Sequence, residues 1–234
     1  IYVECDPTYD GSSTIYALPI TGMEDYRSGM DSRGNVIFAA GDEGYEDNDL
    51  YTEEQYDAFW DYYNNQAGVD FAQEIVDYCM ANYAAYGAED VASSAALWGF
   101  DLEEGATAAD FWDAIVEAYD GDIATAESVE SAGGTLLGFT ISGVGAEMQA
   151  GVTTGESAAS ISGIKKIDDY HIRVTLSEVN ATAIYNLGIS VTPMHYYGDT
   201  SLYNYANNQF GFTKGDLSIV RAKTPEPMGA GPYK

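Results

Sequence analysis

Between residues 52 and 121 the apolar side chains recur every three or four positions, the period at which one face of a helix is buried. Phe71, Ile75, Cys79 and Tyr83 stand in line at four-residue spacing across VDFAQEIVDYCMANYAAYG, with Val76 and Met80 beside them and Gly87 as the stop. A second line, Phe111, Ile115 and Tyr119, runs through ADFWDAIVEAYDG from Thr107 to Gly121. Thr52 with Gln55 three positions later has the form of a capping box ahead of EEQYDAFWDYYNN.

From residue 161 the period changes to two. Ile164 and Ile167, then Ile172, Val174 and Leu176, alternate with His171, Arg173 and Thr175 around Asp168-Asp169. That pattern predicts a β-hairpin with one buried face. Asn180 is positioned to cap a short helix, ATAIYNL, ended by Gly188, and GISVTPMHYYGD reads as an extended segment interrupted by Pro193. At the other end Ile1-Tyr2-Val3 reads as a strand, followed by a turn at Asp6-Pro7 and a polar loop over 9–14. Residues 31–54, rich in Asp, Gly, Glu and Asn, read as a solvated loop, and 121–160 as loops with one short helix. The fold class expected is α+β. A mixed, twisted sheet of the N-terminal strand and the 161–176 hairpin is covered on one side by the helices of 52–120.

Composition narrows the function. A hydrophobic share of 46% in 234 residues supports a real core. Nine Lys and Arg against 38 Asp and Glu give a formal charge of -29, a surface that repels phosphate backbones, so nucleic acid is not an expected partner. No apolar run approaches the roughly 18 residues that span a bilayer. Nor does a basic leader with an apolar core open the chain. Cys5 and Cys79, with His171 and His195, do not have metal-ligand spacing. The two thiols read as buried, with a disulfide as the alternative.

The acidic stretch from Asp42 puts Glu53 at the twelfth position of a calcium loop. It also puts Asp47 where glycine is needed and Gly44 where a ligand is needed, so it reads as a surface loop. The Trp60, Tyr63 and Trp112 stripes could stack on sugars or bases, but at helical spacing they read first as core. No GxSxG, HExxH, CxxC or P-loop pattern occurs, and neither His171 nor His195 stands in a nucleophile–base context. No catalytic residue, metal or cofactor is expected.

The C-terminal third carries a series of motifs: ISGIKKIDDYHIRVTL, then VTPMHYYGD, then FGFTKGD, then PEPMGAGPYK. In this order they resemble the family 5 extracellular solute-binding proteins of peptide-type ABC transporters, the oligopeptide-, dipeptide- and nickel-binding group. The matching positions are Ile164 to Asp169, Val174 and Leu176, Val191 to His195, and Pro227 to Tyr233. Asn180-Ala181 departs from the family's proline-containing linker, and 31–160 is longer and more helical than its usual connecting segment. DPTYDGSSTIYALPITGMEDY near the start is similar to the family as well.

The resemblance implies a class II, cluster C periplasmic-binding-protein-like fold. The 234 residues then form a single piece, mostly the smaller peripheral lobe. It has a helix-rich insertion over about 52–130, and 161–234 leads back to the main lobe through PMGAGPYK. It implies capture of an oligopeptide or dipeptide, delivery to ABC permease subunits, and a lipid-anchored, extracellular or periplasmic bacterial location. The signal segment is not among these residues, and tight binding is expected of the longer parent rather than of this piece. It also offers Tyr16, and after it Tyr9, as ligand contacts, each with a core role as the alternative. The competing functional reading is a secreted carbohydrate-active or other hydrolase domain using the acidic and aromatic clusters.

Overall fold

A computed structural model describes residues 1–11, 13–189 and 192–228. The chain divides into two compact units, Ile1–Val36 with Gln149–Lys234, and Ile37–Met148. Overall it is a mixed α and β protein with small sheets, 48% helix against 9% strand.

The unit Ile37–Met148 is helical. Glu53–Asn65 begins at the expected capping box, with Thr52 Oγ1 accepting from the Gln55 amide and the Gln55 side chain accepting from the Thr52 amide. Ala67–Tyr83 follows, then Val91–Trp98, capped by Asp90 and closed by left-handed Gly99. Ala108–Ala118 is capped reciprocally by Thr107 and Asp110. Phe71, Ile75, Val76 and Cys79 meet Phe111, Ile115, Ala126 and Leu136 in one dry core. Gly68 is needed there, because a Cβ at that position would lie 2.2 Å from the Trp112 indole. A second cluster gathers Ile37, Tyr56, Phe59 and Met148. Trp60, Tyr63 and Trp112 pack against these cores. Met80 and Tyr83, expected on the buried stripe, are exposed instead, since a 17-residue helix drifts off a strict four-residue repeat.

Parts of two segments expected as loops are regular, while 41–52 is irregular as expected. Met30–Ser32 is a strand and Arg33–Ala40 a helix that runs from one unit into the other. Within 121–160 lie the helices Ile123–Glu130, Leu136–Val144 and Ala146–Gln149. Their weak periodicity is offset by caps: Asp122 accepts from Thr125, Thr135 from Gly138, and the distant carboxylates of Glu74 and Glu127 accept from Gly134 and Leu136.

The other unit holds all the described strands, as three separate antiparallel pairs rather than the single mixed sheet expected. Met30–Ser32 pairs with Gly151–Thr153, Ile164–Lys166 with Ile172–Val174, and Tyr203–Asn204 with Gln209–Phe210. The 164–174 hairpin forms as predicted, and Pro19–Thr21 lies alongside its base. The Thr21 amide donates to the Thr175 carbonyl (3.0 Å) and the Gly163 amide to the Thr21 carbonyl (2.8 Å). A side chain at Gly163 would meet both carbonyls at 2.8 Å, so the three segments close only around glycine.

Ile1-Tyr2-Val3 is not a strand. Tyr2–Cys5 is a single helical turn, closed by the Cys5 amide on the Ile1 carbonyl at 3.0 Å. With no partner strand to fill its ladder, β propensity does not decide four residues. Asn180 makes an Asx turn onto Thr182 rather than a cap, and Thr182 is the N-cap of Ala183–Asn186. Pro193 stands at the N-cap of Met194–Tyr197 instead of interrupting a strand. Val191 and the stretch 229–234, most of the PMGAGPYK landmark, lie outside the described residues.

Candidate functional site

The 164–174 hairpin is buried at one end and open at the other. Ile164 is buried, whereas Ile172, expected on the same inward face, is 62% exposed because that face opens onto a cavity. The register sets Ile164 against Val174 and Lys166 against Ile172, so all four project to one side.

The cavity holds about 460 Å³ and its wall combines aliphatic side chains with the rings of Tyr2, Tyr197, Tyr203, Tyr205, Phe210 and Phe212. The Tyr2 ring lies flat on Phe210, centroids 3.5 Å apart at 10°, and Tyr205 meets Phe210 edge-on at 6.2 Å. Hydroxyls tie these rings to the hairpin and its approach. Tyr2 Oη accepts from the Ile161 amide at 3.1 Å, and Tyr205 Oη from the Lys166 amide at 2.9 Å. Burial is the main reason the Tyr2 phenol is held above its usual range. Lys166 supplies a charge at the rim, with Nζ 2.9 Å from Asp169, a carboxylate that holds the ammonium above its ordinary pKa.

Local chemistry explains the aromatic finger that closes this wall. In YNYANNQF, Asn208 takes the left-handed conformation (φ 56°) between Tyr203–Asn204 and Gln209–Phe210. The Asn-Asn pair between aromatic positions was the sequence signal for this hairpin, and the periodicity argument passed over it. Tyr2, Tyr203 and Tyr205 were likewise not anticipated.

A second constellation braces the site. The Asp6 carboxylate is fully buried; Oδ1 accepts from the Thr8 amide (2.9 Å) and hydroxyl (2.7 Å), and Oδ2 from the Gly215 amide (2.9 Å). Thus the Asp-Pro turn grips the TKGD turn across most of the chain. Arg27 Nη1 donates to the Cys5 and Asp6 carbonyls at 3.2 and 3.0 Å. Lys214 Nζ lies 4.2 Å above the Tyr26 ring and bonds Ser157 Oγ and the Ala158 carbonyl. Burial lowers the Lys214 pKa, and Asp6 opposes that fall.

Tyr9 and Tyr16 do not line the aromatic cavity. Tyr16 stands in a separate groove with Leu18, Met23, Arg27 and Ser177, the Arg27 guanidinium 4.4 Å over its ring. Tyr9 follows the Asp-Pro turn, its amide donating to the Asp6 carbonyl. Its phenol is pushed up by burial first and then by neighbours that include Tyr16. Neither tyrosine belongs to a buried core cluster.

Cys5 and Cys79 are both buried free thiols, and burial pushes Cys5 up to about 11. His171 Nδ1 lies 2.8 Å from Asp168 at the exposed hairpin turn. Among the described residues no group of His, Cys, Asp and Glu is placed to hold a metal ion, and no helix is long and apolar enough to cross a membrane. An apolar aromatic wall with hydroxyls at its edge and one rim cation suits binding of a partly apolar molecule.

No protein-family model, curated protein or solved structure matches this chain.

Proposed function

We propose that this chain is part of the extracellular substrate-binding component of a peptide-type ABC transporter, capturing oligopeptides or dipeptides for the permease subunits in the membrane. The observation that carries the reading is convergence. Ile164 and Lys166 come from the SGIKKIDD stretch, Met194 and Tyr197 from VTPMHYYGD, and Phe210 and Phe212 from FGFTKGD. These are three of the four C-terminal segments that resemble the family, and all three line the same cavity. The Asp6–Gly215 bond adds the DPTYDG stretch to the assembly. Aromatic walls accept side chains of varied shape, which suits a receptor that must hold many peptides.

On this reading the chain is a peripheral lobe of a class II, cluster C binding protein. Tyr16 and Tyr9 are then candidates for contact with a ligand enclosed by hinge closure in the longer parent. The test uses the complete coding sequence from which these residues come. Its melting is followed by tryptophan fluorescence with pooled short peptides and, separately, with oligosaccharides. A rise with peptides alone is the expected result. A rise with saccharides and none with peptides overturns the reading in favour of a carbohydrate-active domain.

A further inference from the structure

Of the 38 acidic residues, 25 fall between residues 37 and 148, and that unit contains none of the nine Lys and Arg and neither His. No side chain of the unit can neutralise its field. Acidity by itself marks no site, but the same unit holds an open aromatic groove.

Trp98 meets Tyr78 edge-on at 5.9 Å, Tyr78 meets Tyr83 at 6.0 Å, and Tyr83 meets Tyr86 at 6.2 Å. Beside this ladder runs a cavity of about 400 Å³ lined by Tyr83, Tyr86, Leu97, Trp98 and Cys79. Tyr86 is 76% exposed and Leu97 46%. The apolar stripe of Ala67–Tyr83 thus continues beyond what the core of the unit covers. Acidic residues stand next to it in the chain: Asp77 precedes Tyr78 on the helix, and Glu89 and Asp90 are exposed at the start of the helix that ends in Leu97-Trp98.

We propose that this groove docks a cationic amphipathic segment of a partner protein, an apolar anchor filling the cavity and Lys or Arg facing the carboxylates. Charge selects the occupant. An acidic segment meets a surface without one cation, and a second copy of this chain brings the same excess and is repelled. Anchor residues laid into an apolar groove supply the affinity, and the field supplies orientation and encounter rate.

The experiment titrates the chain calorimetrically with three synthetic peptides of equal length. One is a Lys/Leu amphipathic helix, one its Glu/Leu counterpart, and one a Lys/Ser peptide of equal charge. The Lys/Leu peptide is expected to bind, more weakly as salt rises. Tyr86→Ser and Leu97→Ser are each expected to weaken it about tenfold, as loss of an anchor contact does. The weak Lys/Ser binding is expected not to change in either variant. Both side chains are exposed, and an unchanged tryptophan-detected melting confirms that the variants fold. Failure of the Lys/Leu peptide to bind overturns the proposal, as does equal binding of the Glu/Leu peptide. So does binding that both serine variants leave intact, or a dimer in sedimentation that Tyr86→Ser disperses.

Discussion

In residues 37–148 most of the helix caps are short in sequence. Thr52 is bonded to Gln55, Asp90 to Ser93 and Thr107 to Asp110, and Phe71, Ile75, Phe111 and Ile115 are buried in one apolar core. In residues 1–36 and 149–234 the strands are two or three residues long and the bonds that matter are distant. Asp6 reaches Gly215, Thr21 reaches Gly163 and Thr175, and Gly151 donates to the Gly215 carbonyl at 2.7 Å. The helical unit is held by area removed from water; the other has an apolar cluster of its own, with Ile15, Leu18, Ile20, Met23, Tyr26 and Ile161, and adds polar groups that must find one another. The first design tolerates an excess of 25 like charges because its interior contains almost none. The second contains every cation of the chain and uses several, among them Arg27, Lys214 and Arg221, to tie loops to carbonyls.

All three tryptophans, Trp60, Trp98 and Trp112, belong to the helical unit, and both histidines to the other, so each unit has its own reporter. The largest effect is expected from Phe111→Ala, which removes a fully buried ring and costs about 3–5 kcal/mol in denaturant unfolding followed by tryptophan fluorescence. Asp6→Ala comes next. It strands the Thr8 and Gly215 donors and costs about 3 kcal/mol, read as faster hydrogen exchange at the Gly215 amide. If it also lowers the tryptophan transition as much as Phe111→Ala does, the contrast between a local and a distant design breaks. Thr52→Ala removes one half of a capping box and costs about 1 kcal/mol in the fluorescence transition.

The smallest effect is on pH dependence. The Thr107 amide and hydroxyl hold the Asp110 carboxyl below its ordinary pKa. Because the folded value is the lower one, its contribution is complete above the unfolded carboxylate value. It disappears as pH falls through the folded value. Melting of wild type and Asp110→Asn is expected to differ at neutral pH and to coincide in strong acid.

The difference between the units also governed what could be read from the chain. Thr52 with Gln55, Thr107 with its helix, and Phe71-Ile75-Cys79 were legible because each depends on neighbours within four positions. The 164–174 hairpin was legible for the same reason, its turn and alternation being local. Ile1-Tyr2-Val3 was misread as a strand, since a strand needs a partner and here Tyr2 finds Phe210 and the Ile161 amide instead. Of the three helices of 123–149 only one was expected, and Leu136–Val144 starts where carboxylates 9 and 60 positions away accept from Leu136 and Gly134.

The candidate cavity was legible only in pieces. The hairpin face and FGF were visible, whereas Tyr2, Tyr203 and Tyr205 join them through a stack and two hydroxyl bonds that no periodicity encodes.

By itself the sequence determined three of the helical segments, the Thr52 cap, the hairpin and the extreme charge, all properties of residues within a turn of one another or of composition. Only the tertiary structure decided that the aromatic residues of positions 2, 203, 205 and 210 enclose one cavity. It alone decided that the Asp6 carboxylate would be spent on Gly215. Those outcomes rest on closing long loops, and closure is decided by the sum of distant contacts rather than by any local preference.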